Sequence, residues 1–128
     1  MKRLFLLLAS TLLLASAAYA DAFVKKGKAG SIQVTMSSDK PMTTGDNYYT
    51  ITLQKDGKPV TGAVVKAKVF MPEMPGMPYM ESTNTAIEEG NGVYKTDLAL
   101  SMTGTWQIRL FIDTTDGKKQ QFKSSLIF

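Results

Sequence analysis

From Ser31 to Phe128 apolar and polar residues alternate in short runs, each cut off by turn-forming residues. A side-chain period of two puts neighbours on opposite faces of a strand, so each run reads as a strand with one buried face. Ile32, Val34 and Met36 mark the first; Tyr49, Ile51 and Leu53 the second; Ala63, Val65, Ala67 and Val69 the third. A short fourth is expected within Ser82 to Glu88, around Ile87. Tyr94, Leu98 and Leu100 mark a fifth, and Trp106, Ile108, Leu110 and Ile112 a sixth. Phe122, Ser124, Leu126 and Phe128 close the chain in a seventh. Asp56-Gly57, Asn91-Gly92 and Asp116-Gly117 supply tight turns between them. Turn signals roughly every 8–12 residues predict an all-β fold, an immunoglobulin-like antiparallel sandwich over residues 31–128.

The first twenty residues stand outside that pattern. Lys2 and Arg3 precede an apolar run from Leu4 to Leu14, and Ala18-Tyr19-Ala20 has the small-residue form of a cleavage site. Together they read as a signal peptide over residues 1–20, with a periplasmic, soluble product beginning at Asp21. The run is too short for a permanent membrane span. Residues 21–30 are polar and read as a flexible lead-in. Losing Lys2 and Arg3 lowers the formal charge from +4 to +2. A surface so nearly balanced, without aromatics among its basic residues, argues against nucleic acid as a partner.

One stretch resists the strand pattern. Met71 to Met80 reads Met-Pro-Glu-Met-Pro-Gly-Met-Pro-Tyr-Met, three Met-Pro-X units closed by a fourth methionine. Proline after each methionine restrains the backbone toward polyproline II, with three residues per turn. That conformer would line Met71, Met74, Met77 and Met80 along one edge. Strands alternating up and down bring Met42, the strap and Met102 to the same end, with Met36 close by. Thioethers are soft ligands suited to Cu(I) or Ag(I) and carry no proton to lose. Three readings stand open: a soft-metal site, a hydrophobic lid of adaptable packing, and a docking surface. Met74, Met77 and Met80 are the foremost ligand candidates, joined by Met42; Met71 and Met102 sit on inward registers and lean toward core. Trp106 shares the inward register of Ile108 and Leu110 and reads as core, as does Tyr94. Glu73 and Glu81 flank the strap as solvated carboxylates.

The chain has no histidine and no cysteine. Serine–histidine and cysteine–histidine catalysis, thiol redox work and ordinary zinc sites are therefore excluded. No glycine-rich loop follows a strand and opens a helix. The expectation is a binding protein, not an enzyme.

Four segments resemble a known family. They are Asp56-Gly57-Lys58-Pro59-Val60-Thr61-Gly62-Ala63-Val64-Val65, Met71-Pro72 through Pro75-Gly76-Met77, Gly92-Val93-Tyr94, and Met102-Thr103-Gly104-Thr105-Trp106-Gln107-Ile108. Over roughly Ile32 to Phe128 the chain is similar to the YtkA-like domain family, itself related to the FixH-like proteins of cytochrome oxidase assembly. The resemblance implies an immunoglobulin-like fold, export, and a link to copper handling, oxidase maturation or heavy-metal efflux. Some relatives carry histidine after the methionines; Tyr79 and Met80 stand there in this chain, leaving an all-thioether site. The expectation is a periplasmic monomer binding Cu(I) or Ag(I), serving a membrane-bound metalloprotein or efflux component.

Overall fold

A computed structural model describes residues 23–128. The expected signal peptide and its cleavage point lie outside these residues. The described residues form ten strands and no helix: β1 Phe23–Ala29, β2 Ile32–Ser38, β3 Gly45–Lys55, β4 Lys58–Pro59, β5 Val64–Met71, β6 Met80–Thr85, β7 Ile87–Gly90, β8 Val93–Leu100, β9 Thr105–Asp113 and β10 Lys119–Ile127. They lie in two antiparallel sheets, one ordered β1-β2-β3-β8-β7 with β4 on β3, the other β10-β9-β5-β6. The inward residues of both sheets meet in one core. Tyr49, Ile51 and Leu53 from β3 and Trp106, Ile108, Leu110 and Ile112 from β9 are all buried there. The expected all-β sandwich is what forms.

Three additions raise the strand count from seven to ten. Phe23–Ala29, expected within a flexible lead-in, is edge strand β1, paired residue for residue with β2 from Phe23↔Ser38 to Ala29↔Ile32. Its lysines and Gly27 hide the pattern, yet Phe23 and Ala29 are buried. Gly27 is required by space: a Cβ there would sit 2.7 Å from the Phe122 ring. The expected fourth strand is two strands on different sheets. β6 pairs with β5 and β7 with β8, and at the switch Ala86 N–H donates to the Val65 carbonyl at 2.8 Å. Instead of apolar groups, β6 turns Ser82 and Asn84 inward. Ser82 Oγ accepts from Ala99 N–H at 2.9 Å, and Asn84 Nδ2 donates to the Asp97 side chain at 2.9 Å, tying the sheets along their open side. Two-residue β4 merely extends the Asp56-Gly57 turn, whose φ values of 52° and 73° fit type I′.

The segments around Gly57 and Tyr94 form a staple at one pole. Tyr94 O–H donates to the Val60 carbonyl at 2.9 Å and accepts from Ala63 N–H at 3.1 Å. Leu53 N–H donates to Gly92 C=O and Val60 N–H to Leu53 C=O. Their role is architectural, locking the β4–β5 link over β8. Tyr94→Phe leaves a part-buried carbonyl and amide without their partner. It is expected to cost about 1–3 kcal/mol in urea denaturation.

Candidate soft-metal site at the methionine pole

The opposite pole collects the ends of β2, β5 and β8 and the starts of β3, β6 and β9. Gly45 of β3 lies across from Leu100 of β8, and Met71 of β5 across from Met80 of β6. The loops after β2, β5 and β8, carrying Met42, the Met-Pro strap and Met102, therefore share one end.

The strap is not a polyproline ribbon. It continues the β5–β6 hairpin in unbroken register, since Met74 pairs with Met77 just as Met71 pairs with Met80. Met74 N–H donates to Met77 C=O at 3.0 Å, and Met77 N–H to Met74 C=O at 2.8 Å. Pro75 and Gly76 are the two turn residues. The proline ring sets φ for the first position, and Gly76 at φ 79° fills the second position of a type II turn. Pro72 falls where a ladder N–H would point at the partner strand, so one rung is missing. Pro78 falls where the N–H would point away, at no cost. Folding back wins because it pairs backbone groups that an isolated polyproline segment leaves to water.

That fold-back redistributes the sulfurs. Met71, Met74, Met77 and Met102 line one open cavity of about 290 Å³, with Thr103 and Gln107 among its polar walls. Met71 is buried at 2% exposure and Met74 stands open at 49%, while Met77 and Met102 are half-buried against the core. Met102 is held from below: buried Trp106 donates its Nε1–H to the Met102 carbonyl at 3.0 Å. The cavity wall carries no charged side chain. Elsewhere among the described residues no three His, Cys, Asp or Glu residues cluster as a metal site would require.

Met80 and Met42, both expected as ligands, are not on that wall. Ser101 O–H donates to Met80 Sδ at 2.9 Å, and Tyr49 O–H donates to Met42 Sδ at 3.1 Å. Each sulfur thus already serves as an acceptor. Nothing in the alternating pattern announces Ser101 or Tyr49 as a sulfur partner: Ser101 lies 21 residues from Met80, and Tyr49 reaches Met42, seven residues back, only because the loop before β3 folds over the strand. Asn47 holds the Met42 loop, donating to the Thr43 carbonyl at 2.8 Å and accepting from Thr43 N–H at 2.9 Å. Glu81 is also engaged. It accepts from Tyr79 O–H at 2.8 Å and pairs with Lys68 at 3.3 Å, which together hold its carboxyl below the ordinary range.

Burial pushes the Tyr49 hydroxyl up to about 12 from 10.0. Folding therefore favours the neutral phenol. Its contribution is complete below about pH 10 and is lost as pH rises from there through about 12, up to roughly 2–3 kcal/mol in all. Tyr49→Phe should flatten this alkaline decline in denaturation curves; an unchanged slope would assign the loss to other groups.

A larger hollow of about 390 Å³ lies at the other pole, lined by Lys55, Lys58, Lys118, Asp56 and Asp116 among others. Its mixed charges gather no single ligand chemistry, so the methionine cavity is the stronger candidate.

The fold and this pole define a helix-free β-sandwich with a thioether-lined end. The chain belongs to the YtkA-like family, whose profile matches residues 26–111, from β1 through most of β9. Among solved structures, a DUF4426 family protein from Pseudomonas aeruginosa PAO1 superposes with a TM-score of 0.57 at 12% identity, over 81% of this chain and 96% of that one. Likeness at that identity concerns the fold alone. No curated protein matches the chain.

Proposed function

We propose that this protein binds Cu(I) or Ag(I) through methionine thioethers, as an exported periplasmic carrier or accessory to a membrane-bound metalloprotein or efflux component. The observation that carries the reading is the convergence of Met71, Met74, Met77 and Met102 on one uncharged cavity. A monovalent d¹⁰ ion suits such a set: the sulfurs are soft, carry no charge and need lose no proton. Harder divalent ions prefer imidazole or carboxylate, which the cavity wall lacks. Met74 at the open rim is the sulfur an incoming ion meets first, with Met77 and Met102 behind it. Met71 closes the floor, and Gly104 keeps room for it: a Cβ there would stand 2.9 Å from the Met71 methyl.

Anaerobic titration of the signal-free protein with Cu(I) against a chromogenic chelator tests this directly. Competition at micromolar metal is expected. Its absence, in protein whose fold is verified by circular dichroism, removes the proposal.

A second reading has its own support. Met74 and Tyr79 are 49% and 46% exposed on the hairpin, large side chains of the kind used for docking. Serine at both positions would alter partner recovery without altering metal affinity beyond the share due to Met74.

A further inference from the structure

The outer face of the β10-β9-β5-β6 sheet breaks a rule of strand pairing. Lys68 stands directly across from Arg109, and Arg109 directly across from Lys123. Their neighbours Ala67, Val69, Ile108, Leu110 and Phe122 are buried in the core, so the three cations share the solvent face. Adjacent strands lie about 4.8 Å apart, and like charges directly opposite one another destabilise a sheet. Relief is partial. Lys68 pairs with Glu81 at 3.3 Å, and Lys68 and Arg109 lean over the Phe70 ring at 5.3 and 5.2 Å. Lys123 has no ion pair among the described residues.

The imbalance is local. On this face Lys66, Lys68, Arg109, Lys119 and Lys123 oppose Glu81 and Asp113, five cations against two carboxylates. The outer face of the other sheet is even, with Lys26, Lys28 and Lys95 against Asp46, Glu89 and Asp97. Elsewhere among the described strands like charges align only once, at Lys55 and Lys58 beside the Asp56-Gly57 turn; here three strands contribute to one row.

We propose that the Lys68–Arg109–Lys123 row is a docking surface for an acidic protein segment whose carboxylates repeat at about 5 Å, the spacing of glutamates four residues apart on a helix. Charge complementarity gives the sign of the partner, and the alignment gives its form. An anionic bilayer attracts each lysine by about the same amount wherever it stands, so scattered lysines would serve as well without the repulsion. Only a partner with fixed spacing rewards the costly row. The planar Arg109 fork at its centre suits a carboxylate held in two-point contact. Val64 and Phe111 are exposed at one end of this face and Ile127 at the other, with the cation row between them. The row lies beside Phe70 and Tyr79, whose rings meet at a tilt with centroids 6.1 Å apart at the foot of the methionine hairpin. A docked segment would therefore lie next to the thioether cavity. The inference rests on charge and register, not on metal binding.

The test uses a helical peptide with glutamates four residues apart, a scrambled peptide of identical composition, and phosphatidylglycerol vesicles. The patterned peptide is expected to bind the signal-free protein in low salt and the scramble to bind less well. Lys123→Gln should weaken the patterned peptide about tenfold, the loss of one close charge pair. The same substitution should raise the melting temperature, because it removes a like-charge contact. Lys66→Gln, on the same face but off the row, should change neither. Equal binding of both peptides, no effect of Lys123→Gln on binding, or vesicles captured where the patterned peptide is not, overturns the proposal.

Discussion

Replacing Met74, Met77 and Met102 together with leucine is expected to remove high-affinity Cu(I) binding while the protein stays folded. Leucine nearly conserves the volume of methionine, and such exchanges usually cost under about 1.5 kcal/mol each even in cores. All three positions are half-buried or exposed, so the loss of stability should be smaller still. Metal affinity responds on another scale. Disturbing a group that merely supports a ligand costs about 10–100-fold, and deleting three direct ligands must exceed that. Met80→Leu is the informative comparison. Its sulfur accepts from Ser101 and lies off the cavity wall, so Cu(I) affinity should hardly move. If Met80→Leu costs as much as the triple variant, the ligand set is the one expected along a polyproline edge. If the triple variant still binds tightly, the methionines are packing.

Trp106→Ala should be among the most damaging single changes in the chain. The indole is 1% exposed and lies among the largest fully buried side chains. Truncating a buried tryptophan costs about 3–5 kcal/mol, against total stabilities of about 5–15 kcal/mol for such domains. For a domain of about a hundred residues this lowers the melting temperature by roughly 15–30 °C. Trp106→Phe separates packing from positioning. Most of the apolar volume remains, but the Nε1–H that fixes the Met102 carbonyl is gone, a loss of about 1 kcal/mol. Cu(I) affinity should then fall more than stability does, because the Met102 corner loosens while the core holds. Should Trp106→Ala melt within a few degrees of the parent, the indole does not organise this end of the core.

Much of the body was legible because strand periodicity is a local property. Trp106, Ile108, Leu110 and Ile112 fall on one face by spacing alone, and the opposite sheet supplies what they pack against. β1 was hidden because three of its seven residues are lysines and it lies at a sheet edge. β6 was hidden because its inward residues are Ser82 and Asn84, which bond to β8 instead of filling a core. Both are edges, where hydrogen-bond partners substitute for buried hydrocarbon and the apolar signal fades. The strap misled for a different reason. Three prolines outweigh everything else in a local reading, yet one lies in the turn, one points its missing N–H outward, and only Pro72 interrupts the ladder.

What the amino-acid order determined by itself was the all-β class, the inward set of residues and the gathering of methionines at a single end, since alternation and strand direction need no distant information. Only tertiary structure decided which sulfurs face one another. That depends on the register of the β5–β6 hairpin, on Ser101 and Tyr49 claiming Met80 and Met42, and on Trp106 drawing Met102 inward. The Ser101–Met80 contact joins the β8–β9 loop to β6 and exists only once the two sheets have closed over their core, while the other two form where a loop folds back onto the strand that follows it.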